Sequence, residues 1–550
     1  MPFSARLPFN TAADSQGPIE SLLAQLSQQQ RVQLESALGY HSLLNPGATI
    51  TAHVAIGDIS QIPALTDSTT TDGRATADLQ IIDEVSVEST ALGVPVESTV
   101  TRFIRLAHRD ASPATTSPPE QFSLPRKVYR ELEKRGPIIL DGIREFMMRR
   151  REQSSSGTIQ RFHNGSKDNV LQRAFDTWPH DPVVPSAELP RAVLFGLHWL
   201  QTGGAERWAI ESIKIAKDQG FLPIVVTDQN SVHPWADRPE LEGCVVLALS
   251  FNHYEHEIDV PFANAILENY NLAGVMLHHS HYLYQMLPWI KKQRPDLPVV
   301  DSLHIVEYLG GGYPGTSVHF DDYIDTHHVI SPQLVKWLTE TQGVDAKKLA
   351  LAPLTTLTVD AQSEFKRRDP AQPVTIAFVG RLSRQKRPDV FLGLVHRLKK
   401  QGVRFRAILH GDGEMRGVVD GLMSQMKLVD VIEQRFEDVP VSQTLAEADV
   451  LVVTSINEGL TLTTFEAVAA GIPVISTDVG SQNTIVQGDA LFPRPARPFI
   501  KGSAELVKRF EHDEALRERI WAEQQERINE FSALPSAHEW MKEYFASWQA

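Results

Sequence analysis

Cysteine is nearly absent: Cys244 is the single one in 550 residues. That excludes a disulfide scaffold and a cysteine zinc site, and it fits a reducing compartment. Long apolar runs are missing too. No stretch approaches the roughly 18 to 20 apolar residues needed to cross a bilayer. The opening residues MPFSARLPFNTAADSQ lack the charged-then-apolar layout of a secretory leader. Positive charge is in deficit, since Lys+Arg 53 against Asp+Glu 68 leaves a net charge of -15. Such a balance disfavours a general affinity for nucleic-acid phosphates. The expectation is a soluble cytoplasmic protein with no nucleic-acid partner. What is present is ordinary globular material, 42% hydrophobic and 22% charged. The chain is too long for one hydrophobic core, so about three domains are expected.

Texture divides the chain at about residues 188 and 355. Residues 1–188 read as a mixed α+β extension. In SLLAQLSQQQRVQLESAL, Leu22, Leu26, Leu34 and Leu38 fall on one side of a helix or helix pair. Alternation over residues 84–104 suggests short strands. No chemical motif appears there. A basic block made of Arg126, Lys127, Arg130, Lys134, Arg135, Arg144, Arg149, Arg150 and Arg151 interleaves with Phe146, Met147 and Met148. It suits a peripheral contact with an anionic membrane surface, a solvated helical face, or a homo-oligomer contact.

From Arg191 the pattern becomes β/α. RAVLFGL, LPIVVTD, CVVLALS, AGVMLHHS and LPVVDSLH alternate with amphipathic stretches such as GAERWAIESIKIAKDQG. In that stretch Ala209, Ile213 and Ala216 recur at helical spacing before Gly220. Near-continuous apolar strands require a parallel sheet covered on both faces. Residues 189–355 therefore read as one α/β domain. After a polar bridge, VTIAFVG, FRAILHG, DVLVVTS and IPVIST repeat the alternation and build a second over residues 356–550. Two such domains enclose a cleft, and doubly wound sheets take ligands at the carboxyl ends of their strands.

The densest chemistry lies between Gly380 and Gly480. Gly380 ends a strand, and Arg381 and Lys386 follow on the loop and helix start, a fork-shaped cation and a point cation suited to two adjacent phosphates. Read alone, the same run is also a solvated basic loop. After DVLVVTS, Glu458 lies in the loop and Glu466 in the next helix. Between them the amides of Gly459 to Leu462 open a helix N-terminus, a ready anion site. Carboxylates there accept hydrogen bonds from sugar or ribose hydroxyls.

The run GRLSRQKRP, the HGDGEM turn, ADVLVVTS, the glutamates Glu458 and Glu466 and EAVAAGIPVISTDVG together resemble the nucleotide-sugar domain of family 4 retaining glycosyltransferases. The resemblance implies an α/β GT-B architecture, with an acceptor-side domain at residues 189–355 and a donor-side domain at 356–550. It implies a metal-independent hexosyl transfer with no cofactor beyond a UDP- or GDP-sugar co-substrate. The acceptor would be a glycan, lipid-linked or protein hydroxyl, as in polysaccharide or glycoconjugate synthesis. By the same resemblance Arg381 and Lys386 neutralise the donor diphosphate, Glu458 holds sugar hydroxyls, and Glu466 holds ribose hydroxyls. The amides of Leu460, Thr461 and Leu462 bind phosphate, and Gly411 and Gly413 border the nucleotide. Gly203 and Gly204 let backbone approach the phosphates, and His304 sits over the sugar. Two departures stand out: Thr461 replaces a frequent glycine, and Arg435-Phe436-Glu437 lies where a glycine commonly follows an aromatic residue near the base.

Other readings compete at particular residues. Glu206 and Arg207 read equally as solvated helix residues. His278, His279 and His281 point apart on an extended segment without a completing carboxylate, so no metal is expected. Glu307, Tyr308 and GGGYPG suit an acceptor-side loop, and Ser331 a turn rather than a nucleophile. The aromatic C-terminal stretch with Trp540, Tyr544, Phe545 and Trp548 suits a helix that crosses back to the first domain. A sugar-nucleotide epimerase on the same fold and a catalytically silent partner subunit are the alternative functions.

Overall fold

The computed structural model describes residues 7–12, 16–57, 70–71, 74–75, 80–107, 136–155, 158–162, 170–178, 182–201, 203–229, 231, 233–249, 259–306, 311–354 and 364–549. The first part holds β1 (Phe9–Thr11), α1 (Gln16–Gln25), α2 (Gln28–Leu44), β2 (Ala48–Gly57), β3 (Gln80–Ser89) and β4 (Ser98–Ala107). Their sheet runs β1-β3-β2-β4, with β2 antiparallel to β3 and parallel to β4. Ser27 separates the two helices as a capping box with Gln30. Leu22, Leu26, Leu34 and Leu38 are all buried.

The described helices and strands of this first part do not stand apart. Their leucines share one continuous core with Leu247, Phe262 and Trp289 of the following domain. The amide of Ala248 donates to Ser36 Oγ at 2.8 Å, and the Tyr40 hydroxyl donates to Asp259 at 2.9 Å. Next comes α3 (Pro137–Ser155), which leaves this core and packs on the other lobe. Residues 158–162 return, with Arg161 pairing to Asp321 at 2.9 Å. The basic block before residue 136 and the side chains of Arg149, Arg150 and Arg151 lie outside the described residues.

After α4 (Val170–Thr177), the N-terminal lobe comprises β5 (Arg191–Leu197), α5 (Gly204–Asp218), β6 (Leu222–Thr227), β7 (Val245–Ala248), α6 (Val260–Asn269), β8 (Asn271–Leu277), α7 (His281–Gln293), β9 (Val299–Leu303), α8 (Tyr313–His319), β10 (Thr326–Val329), α9 (Pro332–Lys336) and β11 (Leu349–Leu351). The strand order is β11-β10-β9-β8-β5-β6-β7, all parallel. The C-terminal lobe comprises β12 (Val374–Val379), α10 (Pro388–Lys400), β13 (Phe405–His410), α11 (Arg416–Gln425), β14 (Ile432–Arg435), α12 (Val441–Glu447), β15 (Val450–Val453), α13 (Leu462–Ala469), β16 (Val474–Thr477), β17 (Leu491–Phe492), α14 (Ala496–Phe510) and α15 (Glu514–Ser532). Its order is β14-β13-β12-β15-β16-β17, again all parallel. These are two Rossmann-like lobes, the GT-B architecture. β9 and β15 are buried at every position, as strands covered on both faces must be.

The last helix, α16 (Ala537–Ser547), crosses back. Ala537, Met541, Phe545 and Trp548 enter the N-terminal core, and Trp540 stacks on His328 with ring centroids 5.2 Å apart. Among the described residues no helix is long and apolar enough to cross a membrane.

Candidate functional site

In a doubly wound sheet the loops part where the strand order reverses, leaving a crevice. In the C-terminal lobe that point lies between β12 and β15, and in the N-terminal lobe between β5 and β8. The loops that follow these four strands carry most of the residues singled out by sequence.

After β12, the amide of Gly380 donates to His410 O at 3.0 Å, tying this turn to the one that follows β13. The two turns touch backbone to backbone. A β-carbon on Gly411 would lie 2.1 Å from Gly380 O, and one on Gly413 would lie 2.7 Å from Leu382 O. Only glycine fits such an approach. Arg381 stands exposed on this turn, its stem beside Gly413, with no side-chain partner among the described residues. Lys386 reaches the loop after β15, where its Nζ donates to Glu458 Oε1 at 2.6 Å. Glu458 is buried and also accepts from the hydroxyl of Ser455. The loops are sewn together further by Gln385 Nε2 to Asn457 O at 3.0 Å and Ile456 N to Gln385 O at 2.9 Å. Lys386 and Glu458 are thus brought together, while Arg381 lies on the neighbouring turn.

Leu460, Thr461 and Leu462 open α13. Thr461 occupies the cap position, but its side chain makes no cap hydrogen bond. Its Oγ1 is buried and has no hydrogen-bond partner among the described residues. The first amides of a helix have no intrahelical acceptor, so this end offers donors and the positive pole of the helix. Glu466 lies along the same helix and is half-buried. Burial pushes its carboxyl up, and the Arg207 charge, reaching over from the N-terminal lobe, draws it partly back.

In that lobe Gly203 is extended, and a β-carbon there would lie 1.9 Å from Glu206 Oε2. Gly204 begins α5 with open space around it. Glu206 is buried rather than solvated: it accepts from Trp199 Nε1 at 2.7 Å and pairs with His198 Nε2 at 2.9 Å. Burial alone would raise its carboxyl, but the His198 and Trp199 bonds bring it down to about 2.

The histidines after β8 diverge. His278 turns inward to Ser212 Oγ at 2.6 Å, whereas His279, at a left-handed φ of 102°, stacks on Tyr313 with centroids 4.5 Å apart. His281 covers the other face of Tyr313 at 4.4 Å. His304, after β9, is buried with Nε2 3.0 Å from Ser302 Oγ, and its ring centroid lies 5.2 Å from that of His279. Burial, then the neighbouring histidines, push its pKa well below the ordinary value and keep the ring neutral. Ser331 caps α9 by accepting from Leu334 N. Among the described residues no group of three or more His, Cys, Asp or Glu is arranged to hold a metal ion.

The lobes meet at two of these residues. A β-carbon on Gly459 would lie 2.4 Å from His304 O, and Asn457 Nδ2 donates to Val306 O at 3.1 Å. Behind them Gly480, at φ 55°, supports Glu458, since a β-carbon there would lie 1.7 Å from Glu458 O. Sequence reasoning missed Ser455, Asn457 and His198, and it left Arg207 as a surface residue. No periodicity marks them, because all but Arg207 lie in loops, and each is given its role by a side chain or carbonyl that its immediate neighbours do not announce. Arg435 is buried in ion pairs with Glu433 and Glu447, both at 2.6 Å, and Phe436 lies under Arg416 at 4.1 Å. Thr202, Glu307 and Tyr308 lie outside the described residues.

Residues 360–527 match the family model described as glycosyl transferases group 1. A 128-residue stretch is 34% identical to the putative colanic acid biosynthesis glycosyltransferase WcaL of Escherichia coli (strain K12), covering 22% of this chain and 32% of that protein. A 249-residue stretch is 26% identical to the D-inositol 3-phosphate glycosyltransferase of Thermomonospora curvata, covering 38% of this chain and 57% of that one. The chain thus spans between a third and somewhat over half of these curated relatives. Anabaena HepE, solved in complex with UDP and glucose, superposes at a TM-score of 0.49 and 15% identity over 65% of this chain and 98% of its own. The likeness to the glycosyl transferases group 1 family is thus a property of residues 360–527, the part of the chain that carries Lys386, Glu458 and the amides of α13.

Proposed function

We propose that this protein is a retaining glycosyltransferase that moves a hexosyl unit from a UDP- or GDP-sugar to a hydroxyl of a glycan, lipid-linked or protein acceptor. The observation that carries the reading is the Lys386–Glu458 pair at 2.6 Å at the reversal of strand order, beside the orphan hydroxyl of Thr461 at the start of α13. In the free protein the two charges satisfy each other. When donor binds, phosphate oxygens take over Lys386, and sugar hydroxyls donate to Glu458.

Departure of the nucleotide puts negative charge on the diphosphate and positive charge at the anomeric carbon. Lys386, Arg381 and the amides of Leu460, Thr461 and Leu462 stabilise the first of these without recourse to a metal. The departing phosphate oxygen takes the acceptor proton as the acceptor enters on the same face, so no strong protein base is required. Glu466 accepts from ribose hydroxyls, Gly411 and Gly413 leave room for the nucleotide, and Gly203 and Gly204 do the same on the facing wall. The neutral ring of His304 lies over the transferred sugar. A cytoplasmic site of action at the inner membrane face, reached through the basic block of residues 126–151, belongs to the same reading, as does oligomerisation through the first 188 residues.

The test is a panel of nucleotide sugars followed by NMR. Slow donor hydrolysis, or transfer with an unchanged anomeric configuration, supports the reading. A free epimerised sugar points to an epimerase instead, and neither binding nor turnover points to a silent subunit.

A further inference from the structure

Arg387 follows Lys386 and is the last residue before α10. Its backbone is left-handed, at φ 49° and ψ 61°, a conformation that crowds the β-carbon of any residue but glycine. Such strain persists only where the surroundings over-determine it. Here they do. The buried guanidinium donates to Thr454 O at 2.6 Å, Ser455 O at 3.2 Å, Arg494 O at 2.8 Å and Asp141 Oδ1 at 3.0 Å. The Thr454 hydroxyl donates back to Lys386 O at 2.6 Å and Arg387 O at 3.0 Å, and the Ser455 hydroxyl donates to Glu458. The guanidinium therefore grips the two residues that hold the Lys386 backbone and the Glu458 carboxylate.

A buried cation needs a counter-charge, because removing one partner leaves the other desolvated and unpaired. Among the described residues the carboxylate paired with Arg387 is Asp141, on α3. Its second oxygen accepts from Ala496 N at 3.2 Å, which fixes the carboxylate from the other side. One turn further along α3, Glu145 pairs with the Arg494 side chain at 2.9 Å and fastens the helix to this lobe a second time, through the side chain of a residue whose backbone carbonyl Arg387 holds.

We infer that Asp141 is a positioning residue of the nucleotide-sugar site: it holds Arg387, and Arg387 sets the spacing of the two loops that carry Lys386 and Glu458. The inference rests on the transferase reading for its kinetic consequence, but not for its structural one. It makes α3 a working part of a site whose family segment begins only at residue 360.

Three proteins carrying all 550 residues decide it: wild type, Asp141→Asn and Glu145→Gln. By hydrogen exchange, Asp141→Asn is expected to lose protection at least tenfold at residues 383–388 and 454–459, and Glu145→Gln to keep it. In donor turnover, Asp141→Asn is expected to lower kcat tenfold or more with donor KM changed less than threefold, and Glu145→Gln to keep both. Equal losses in the two variants, or native protection and kcat in Asp141→Asn, would overturn the inference. Lost protection in Asp141→Asn together with an inactive wild type would support the positioning role while sinking the transferase reading. Should Asp141→Asn not fold, Asp141→Asn/Arg387→Gln removes both buried charges. It is expected to fold with low kcat and exposed loops, and native kcat with native protection would overturn the inference.

Discussion

Gly459 presses its α-carbon against the backbone of His304, so closely that a β-carbon would sit 2.4 Å from the His304 carbonyl oxygen. The two residues come from different lobes, and this approach brings the Glu458 loop up to the histidine cluster. Gly459→Ala is therefore expected to separate the lobes locally while sparing each core. A misplacement of about 1 Å costs on the order of a hundredfold in rate. The expected result is a loss of tenfold or more in kcat/KM with a nearly unchanged melting temperature. Full activity would show that the lobes do not need this contact.

Lys386→Ala removes the cation that faces Glu458. Loss of one preorganised charge partner typically costs about 10²–10³ in kcat, and that range is expected for donor hydrolysis or transfer. Glu458 keeps its bond from Ser455, so the fold is expected to survive. Turnover at the wild-type rate would remove Lys386 from the mechanism.

His327 sets the alkaline limit of stability. It is buried between Asp301 at 2.9 Å and Asp321 at 3.1 Å. Burial alone would lower its pKa, but the two carboxylates override this and hold it at about 9. The folded value lies above the unfolded one of about 6.5, so the stabilisation is complete below pH 6.5 and disappears as pH rises through 9. The unfolding free energy is expected to fall by about 1 kcal/mol per pH unit across this window. Urea titrations at pH 7 and pH 9 measure it, and equal midpoints would contradict the assignment.

The return of α16 to the first lobe depends on Gly274, in β8, where a β-carbon would lie 2.4 Å from the Trp548 ring. Gly274→Val is expected to expel the ring and destabilise the protein by about 1–3 kcal/mol, the usual cost of overpacking. Limited proteolysis then reads out the release of residues 537–549. Unchanged protection there would mean that the rest of α16 suffices to dock it.

The two lobes were legible because parallel strands leave an unmistakable trace: RAVLFGL and DVLVVTS are apolar without alternation, and each is followed by a helical period. The glycines were legible for a similar reason, since Gly380, Gly411 and Gly413 end strands, where turns are tight. The placement of α1 and α2 was not legible. Leu34 and Leu38 announce a buried helix face, but nothing local says that Leu247 and Phe262 will cover it. Arg387 reads as one more cation in a basic loop, and only its neighbours from α3, from the loop after β15 and from Arg494 make it a buried tie. Glu206 likewise resembles any helix glutamate until His198 and Trp199 close over it.

The amino-acid order alone determined the β/α alternation, the positions of the tight turns and the family of residues 360–527, because periodicity, glycine placement and motif spacing are properties of neighbours along the chain. Tertiary structure decided that Lys386 meets Glu458, that Arg207 acts on Glu466, and that Asp141 reaches Arg387 across 246 positions. Those relationships depend on which loops a strand reversal places side by side and on which helix covers them, and a buried charge finds its partner only when distant segments close around it.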